Sequence, residues 1–85
     1  MDKKITFSSH ALGQMIERGT HRQEVETAIL KGEKIPAKQG RHGYRINFQY
    51  GQFWGEKWYP IKQVMPIIKE EKNEFIVITV YVFYF

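Results

Sequence analysis

The sequence predicts an α+β protein in which two N-terminal helices pack on an antiparallel sheet of three to four strands. Two observations lead there. Apolar residues recur at helical spacing as far as Ile29, and after Gly32 the period changes from about 3.6 to 2. Helices followed by strands, rather than alternating with them, make a layered α+β architecture.

Ser8 and Ser9 are good N-cap residues. Leu12, Met15 and Ile16 follow at i, i+3, i+4 and mark the first helix. The same spacing gathers His10, Gln14 and Arg18 on another face, and Gly19 supplies the stop. Thr20-His21-Arg22-Gln23 has the form of a capping box opening a second helix. Val25, Ala28 and Ile29 are its apolar stripe and Gly32 its end, so the two helices should form a tight angled pair.

Glu33 to Ile35 is then a short strand stopped by Pro36, and Gln39 to Gly43 a turn or loop. From Tyr44 to Tyr50 the chain alternates. Tyr44, Ile46, Phe48 and Tyr50 share one face, and Arg45, Asn47 and Gln49 the other. Gly51 to Trp58 carries glycine and aromatic residues in no readable pattern. Ile61 to Lys69 is apolar enough for a strand, with Pro66 pointing to an edge or a bulge. After a polar turn, Phe75 to Phe85 is the strongest strand. Its even positions Ile76, Ile78, Val80 and Val82 should face the helices, leaving Thr79 and Tyr81 on the opposite face. Apolar to the last residue, it reads as a sheet edge that a second copy or a partner protein would cover.

One domain is the count that 85 residues support. Hydrophobic residues at 42% and charged residues at 26% exclude disorder as the main state. The absence of cysteine excludes a disulfide scaffold, a thiolate zinc site and a cysteine nucleophile. No apolar run reaches the roughly 18 to 20 residues of a membrane span. The opening Met1-Asp2-Lys3-Lys4 is polar too early for a signal peptide, so the expected location is cytoplasmic, away from membranes. The net charge is +4, and from Lys31 to Lys62 seven basic residues face two acidic ones, a local +5. A basic middle suits an anionic partner such as nucleic acid; it also serves solubility alone.

The histidines at 10, 21 and 42 lack ligand spacing, so no metal or cofactor is expected. Gly51 and Gly55 lack the Lys-Ser/Thr ending of a phosphate loop. What is left is a set of His, Arg, Lys and Tyr, and RNA cleavage can be run with such a set. The 2′-hydroxyl attacks its own phosphate, so the protein supplies a base, an acid and positive charge. His10, Arg18 and Tyr81 are the candidate catalytic residues, and Arg41, Arg45, Asn47 and Lys62 the candidate RNA-binding residues. Each has an ordinary alternative: local hydrogen bonding for His10, helix C-terminal charge for Arg18, solvated loop charge for Arg41, strand-face packing for Tyr81. His10 and Arg18, about 12 Å apart along a helix, can line one groove but not hold one phosphate.

Ser9-His10-Ala11 with Met15, Glu17-Arg18-Gly19 and Val25 resembles the opening of the domain-of-unknown-function 4258 family. That family opens S-H-A-x-x-R/Q-M-x-E-R-G-I-x-x-x-x-V, and Ile78-Thr79-Val80-Tyr81 resembles its last strand. This chain departs at Thr20 and from Trp54 to Pro60. The resemblance implies a fold similar to RelE-type toxins, most of them ribonucleases held silent by an antitoxin. By position it implies roles for His10, Arg18, Thr79 and Tyr81. The first expectation is therefore a RelE-like, metal-independent ribonuclease acting on RNA or the ribosome, with an antitoxin or homodimer partner. The alternatives are a non-catalytic RNA- or ribosome-binding module, and a protein-interaction domain. The last rests on Trp54, Trp58 and strand addition at the C-terminal strand.

Overall fold

A computed structural model describes residues 3–85, and the polar opening at Met1 and Asp2 lies outside them. Its order is β1 (Lys4–Phe7), α1 (Ser9–Arg18), α2 (Arg22–Lys31), β2 (Glu33–Pro36), β3 (His42–Trp54), β4 (Lys57–Glu70) and β5 (Glu74–Tyr84). The architecture is α+β, as expected, but the sheet has five strands in the order β1-β5-β4-β3-β2 and is mixed. The additional strand β1 runs parallel to β5, with Lys4 opposite Glu74 and Phe7 opposite Val77.

α1 begins where Ser8 Oγ accepts a hydrogen bond from the Ala11 amide at 3.0 Å. It ends at Gly19, whose φ of 81° lies in the left-handed region a side chain disfavours. Its buried face is Ala11 and Met15, with Leu12 at the margin, whereas Ile16 is exposed to solvent. The expected stripe is thus rotated by one residue. α2 buries Val25, Ala28 and Ile29 as the spacing predicts. Its cap differs: His21 is the N-cap and makes no side-chain capping bond. The Thr20 hydroxyl instead donates to Glu24 Oε1 at 2.8 Å, a charge-assisted bond to the first turn of α2. At Gly32 an added Cβ would lie 2.6 Å from the Arg45 carbonyl oxygen, which lets the end of α2 press against β3.

β3 and β4 form a long hairpin closed by Gly55 and Glu56, with Trp54 opposite Lys57. Gly55 takes φ 65° and Glu56 a negative φ, the II′ pattern of tight hairpins. Earlier along the hairpin, Tyr50 and Gly51 oppose Pro60 alone. Gly51, at φ 60°, makes this a glycine bulge, which accommodates a proline lacking a ladder donor. The stretch that was unreadable as sequence is therefore the tip of two strands.

Pro66 was expected at an edge or bulge, yet it is fully buried in the central strand β4. The β3 ladder is interrupted there, passing from Gly43–Ile67 to Ile46–Val64. A register shift also falls one residue further along, between Ile67 and Ile68. That shift leaves Ile78 of β5 without a partner and reverses the strand's alternation. Phe75 and Val77 face the helices before it, and Val80 and Val82 after it. The expectation that Ile76 and Ile78 face inward is corrected by this single inserted residue.

As far as Val80, β5 is not an exposed edge. β1 covers it as far as Val77, and α1 covers the next stretch with side chains. Ser8 N donates to the Val77 carbonyl at 2.9 Å. Val80 N then donates to Gln14 Oε1 at 2.8 Å, and Arg18 Nη1 donates to the Val80 carbonyl at 2.7 Å. The cover comes from the chain itself. Beneath it, Val64, Ile68, Val77 and Val80 are completely enclosed with Ala11 and Val25, each larger aliphatic chain being worth about 1.5 to 3 kcal/mol.

Candidate functional site

Both helices lie on one side of the sheet, so its other side is bare. Register assigns the residues there. Thr79, Ile67, Gly43 and Ile35 form one row, and Tyr81 and Met65 the next. Phe83, Gln63 and Asn47 form a third. Arg45 lies within the unbroken register opposite Met65 and pairs with Glu33 at 2.9 Å. Thus Arg45, Asn47 and Tyr81, singled out from the sequence on separate grounds, share one face.

At the β2 end of that face the chain between β2 and β3 rises over the sheet. Gln39 and Gly40 both take positive φ, 62° and 72°; a left-handed glutamine is uncommon and stores local strain. The turn encloses a hollow of about 460 Å³ lined by Lys38, Gln39 and Arg41 above and Ile67, Ile78, Thr79 and Tyr81 below. Two cations line it and no carboxylate does. The Arg18 guanidinium stands 5.6 Å from the centre of the Tyr81 ring. One of its five N–H groups is spent on the Val80 carbonyl, which leaves others for an anion beside Tyr81. Arg41 and Tyr81 therefore line one hollow, and Arg18 stands against the Tyr81 ring without lining it. Lys38, Gln39 and Thr79 join them; the sequence offered only Thr79 in advance, by resemblance.

His10 is exposed in the first turn of α1. It shares a helix face with Gln14 and Arg18, whose side chains both reach Val80. Lys62 lies on the opposite side of the sheet from the hollow, buried under α2. Its Nζ is 2.8 Å from Glu24 Oε1 and donates to the Gly19 carbonyl at 2.9 Å. A lysine so enclosed is not presented to an RNA, and the expected binding role does not fit it. Trp54 stacks on Tyr84 at 4.9 Å, and Tyr84 donates to the Arg18 carbonyl at 2.7 Å. Burial, with Tyr50 and Glu24 nearby, pushes the Tyr84 phenol up to about 12.

His42 was expected in a solvated loop but starts β3, where its Nε2 is enclosed without a hydrogen-bond partner. Glu70 Oε1 is 3.5 Å away. Burial, then Lys34, lowers the His42 pKa from its usual 6.5; Glu70 opposes them and Lys3 adds to them. The unfolded chain takes up this proton near 6.5 while the folded protein resists it. Stability should therefore fall as the pH drops below about 6.5 and level off once folded His42 is charged. Thermal melts between neutral and mildly acidic pH, beside an NMR titration of the imidazoles, check this. Constant stability across that window would contradict it. Among the described residues no group of three or more His, Asp or Glu side chains is placed to hold a metal ion, and no helix is long and apolar enough to cross a membrane.

Fold and site together define a small α+β protein whose helices back one sheet face and whose bare face ends in a cationic hollow. Within that class, residues 7–82 match the family described as a domain of unknown function (DUF4258), and the chain belongs to that family. Neither the curated proteins nor the solved structures contain a match to it.

Proposed function

We propose that this protein acts on RNA as a RelE-like, metal-independent ribonuclease, working in the cytoplasm under the control of an antitoxin. The observation that carries the reading is the hollow. Lys38 and Arg41 line it without any carboxylate, and Tyr81 joins them under Arg18. Arg presents a planar fork that fits phosphate oxygens in pairs, and low-dielectric walls strengthen its effect. In the reaction the 2′-oxygen forms a bond to phosphorus and the bond to the 5′-oxygen breaks. His10 takes the 2′-hydroxyl proton, Tyr81 gives one to the departing 5′-oxygen, and Arg41 holds the phosphoryl oxygens, while Arg18, too far along α1 from His10 to share that phosphate, holds a neighbouring one. The products are a 2′,3′-cyclic phosphate and a 5′-hydroxyl.

A second reading has its own observation. No histidine lines the hollow, which suits a face that holds RNA or a ribosome without cutting it. Incubation of the purified protein with labelled RNA in EDTA, with and without ribosomes, separates the two. Cleavage leaving 2′,3′-cyclic ends, abolished in His10→Ala, supports the nuclease. Salt-sensitive binding without cleavage supports the binder; neither binding nor cleavage sinks both.

A further inference from the structure

We propose that the outward positions at the end of β5 form a stacking track for the bases of single-stranded RNA, with Tyr81, Phe83 and Phe85 as its steps. The inference rests on the RNA-directed reading above and adds to it a class of substrate and a mode of binding. Tyr81, Phe83 and Phe85 are 41%, 45% and 53% exposed, an unusual use of three large rings in a chain that must build its core from few residues. They occupy alternate positions and so point to one face. Phe85 is held in place by two backbone bonds with Ile61, at 2.8 and 3.1 Å. The Tyr81 and Phe83 rings are nearly parallel, 15° apart, with centres 6.3 Å apart.

Alternate strand positions are separated by about 6.7 Å, roughly twice the 3.4 Å rise of a stacked nucleic-acid strand. A single strand drawn out of its own stack has room to lay one base against each ring. A duplex does not, because its bases are paired and their faces covered. Polar groups stand beside the track where base edges would fall. Gln63 and Asn47 share the Phe83 row and are hydrogen-bonded to each other at 2.9 Å, and their amides offer both donors and acceptors. The Tyr81 end of the track opens into the hollow, where Lys38 and Arg41 would meet the sugar-phosphate chain.

A second copy of this chain is a poorer occupant. Each copy carries +4, and pairing the two faces would bring cationic rims together without carboxylates lining either hollow.

The test is fluorescence anisotropy with a labelled single-stranded oligoribonucleotide, its abasic sugar-phosphate counterpart and a duplex of the same sequence. The proteins are the wild type, Phe83→Ala, Phe85→Ala and Phe83→Tyr, each checked for folding by circular dichroism. Each alanine should weaken single-strand binding by roughly five- to tenfold, Phe83→Tyr should restore it, and binding to the abasic chain should be weak and unchanged. Wild-type protein that binds the abasic chain as well as RNA overturns the track and leaves the RNA-directed reading standing; this comparison holds whether or not the variants fold. Alanine variants that bind like the wild type do the same. Absence of binding to any RNA overturns track and reading together, whereas an effect of Phe83→Ala on self-association alone overturns the track only.

Discussion

Lys62→Met is expected to destabilise the fold by about 3 kcal/mol or more, the usual cost of removing one partner from a buried ion pair. The lysine and glutamate side chains are only 8% and 16% exposed, with Nζ 2.8 Å from the carboxylate. The same ammonium donates to the Gly19 carbonyl, and the same carboxylate accepts from Thr20. Taking the lysine away strands a charge, a helix-end carbonyl and part of a turn at once. An 85-residue chain has about 4 to 13 kcal/mol of stability in all, so the loss is a large fraction. The melting temperature should fall by more than 10 °C, on the order of 4 to 8 °C per kcal/mol.

Lys62→Met combined with Glu24→Leu should recover much of that loss, because a well-packed apolar pair avoids the desolvation that the ion pair incurs. Urea melts of the two single variants and the double variant measure the coupling directly. A single-variant loss below about 1 kcal/mol would mean that water reaches the pair as it does a surface bridge. The melts also bear on function. If Lys62→Met, measured where it is folded, holds RNA like the wild type, then its positive charge serves the interior alone.

The placement of Lys62 was written in the sequence, in a pattern easily passed over. It stands in phase with Val64, Pro66 and Ile68 on the inward side of β4, and alternation alone puts all four on one face. Counting it with the basic middle of the chain lost that information. The α2 stripe, the Gly19 stop and the β3 alternation were legible because each is a periodic or capping signal contained within a few neighbours. β1 was not, since four residues show too little alternation and its partner strand lies about 70 positions on. The reversal in β5 was not legible either. It depends on one residue bulging against β4, and nothing in Ile76-Val77-Ile78-Thr79 marks where the extra residue falls. The bare face could be read in part, as the polar side of Tyr44 to Tyr50. The hollow could not, because it needs Gln39 in a left-handed conformation to carry Arg41 above Thr79 and Tyr81.

That loop and the strand beneath it are where the largest effects on activity are expected. If the protein cleaves RNA as proposed, Arg41→Ala should lower kcat by about 100- to 1000-fold, the scale for losing one group aimed at charge that builds up in the transition state. In that reaction the phosphoryl oxygens gain charge as the 2′-oxygen attacks, so the guanidinium would hold the transition state more tightly than bound RNA, and KM should change less than kcat. Arg41→Lys should recover only part of the rate, since a point charge cannot engage two oxygens in one plane. Tyr81→Phe removes only the hydroxyl and keeps the ring that faces Arg18. If that hydroxyl donates the proton to the departing oxygen, its loss costs about 100- to 10,000-fold. Because both groups serve one transition state, the double variant should fall well short of the product of the two losses. The opposite split, KM raised with kcat intact in Arg41→Ala, would make the hollow a holding site. A Tyr81→Phe protein that still cuts at the wild-type rate would move the proton donor elsewhere, the Lys38 ammonium being the next acid that lines the hollow.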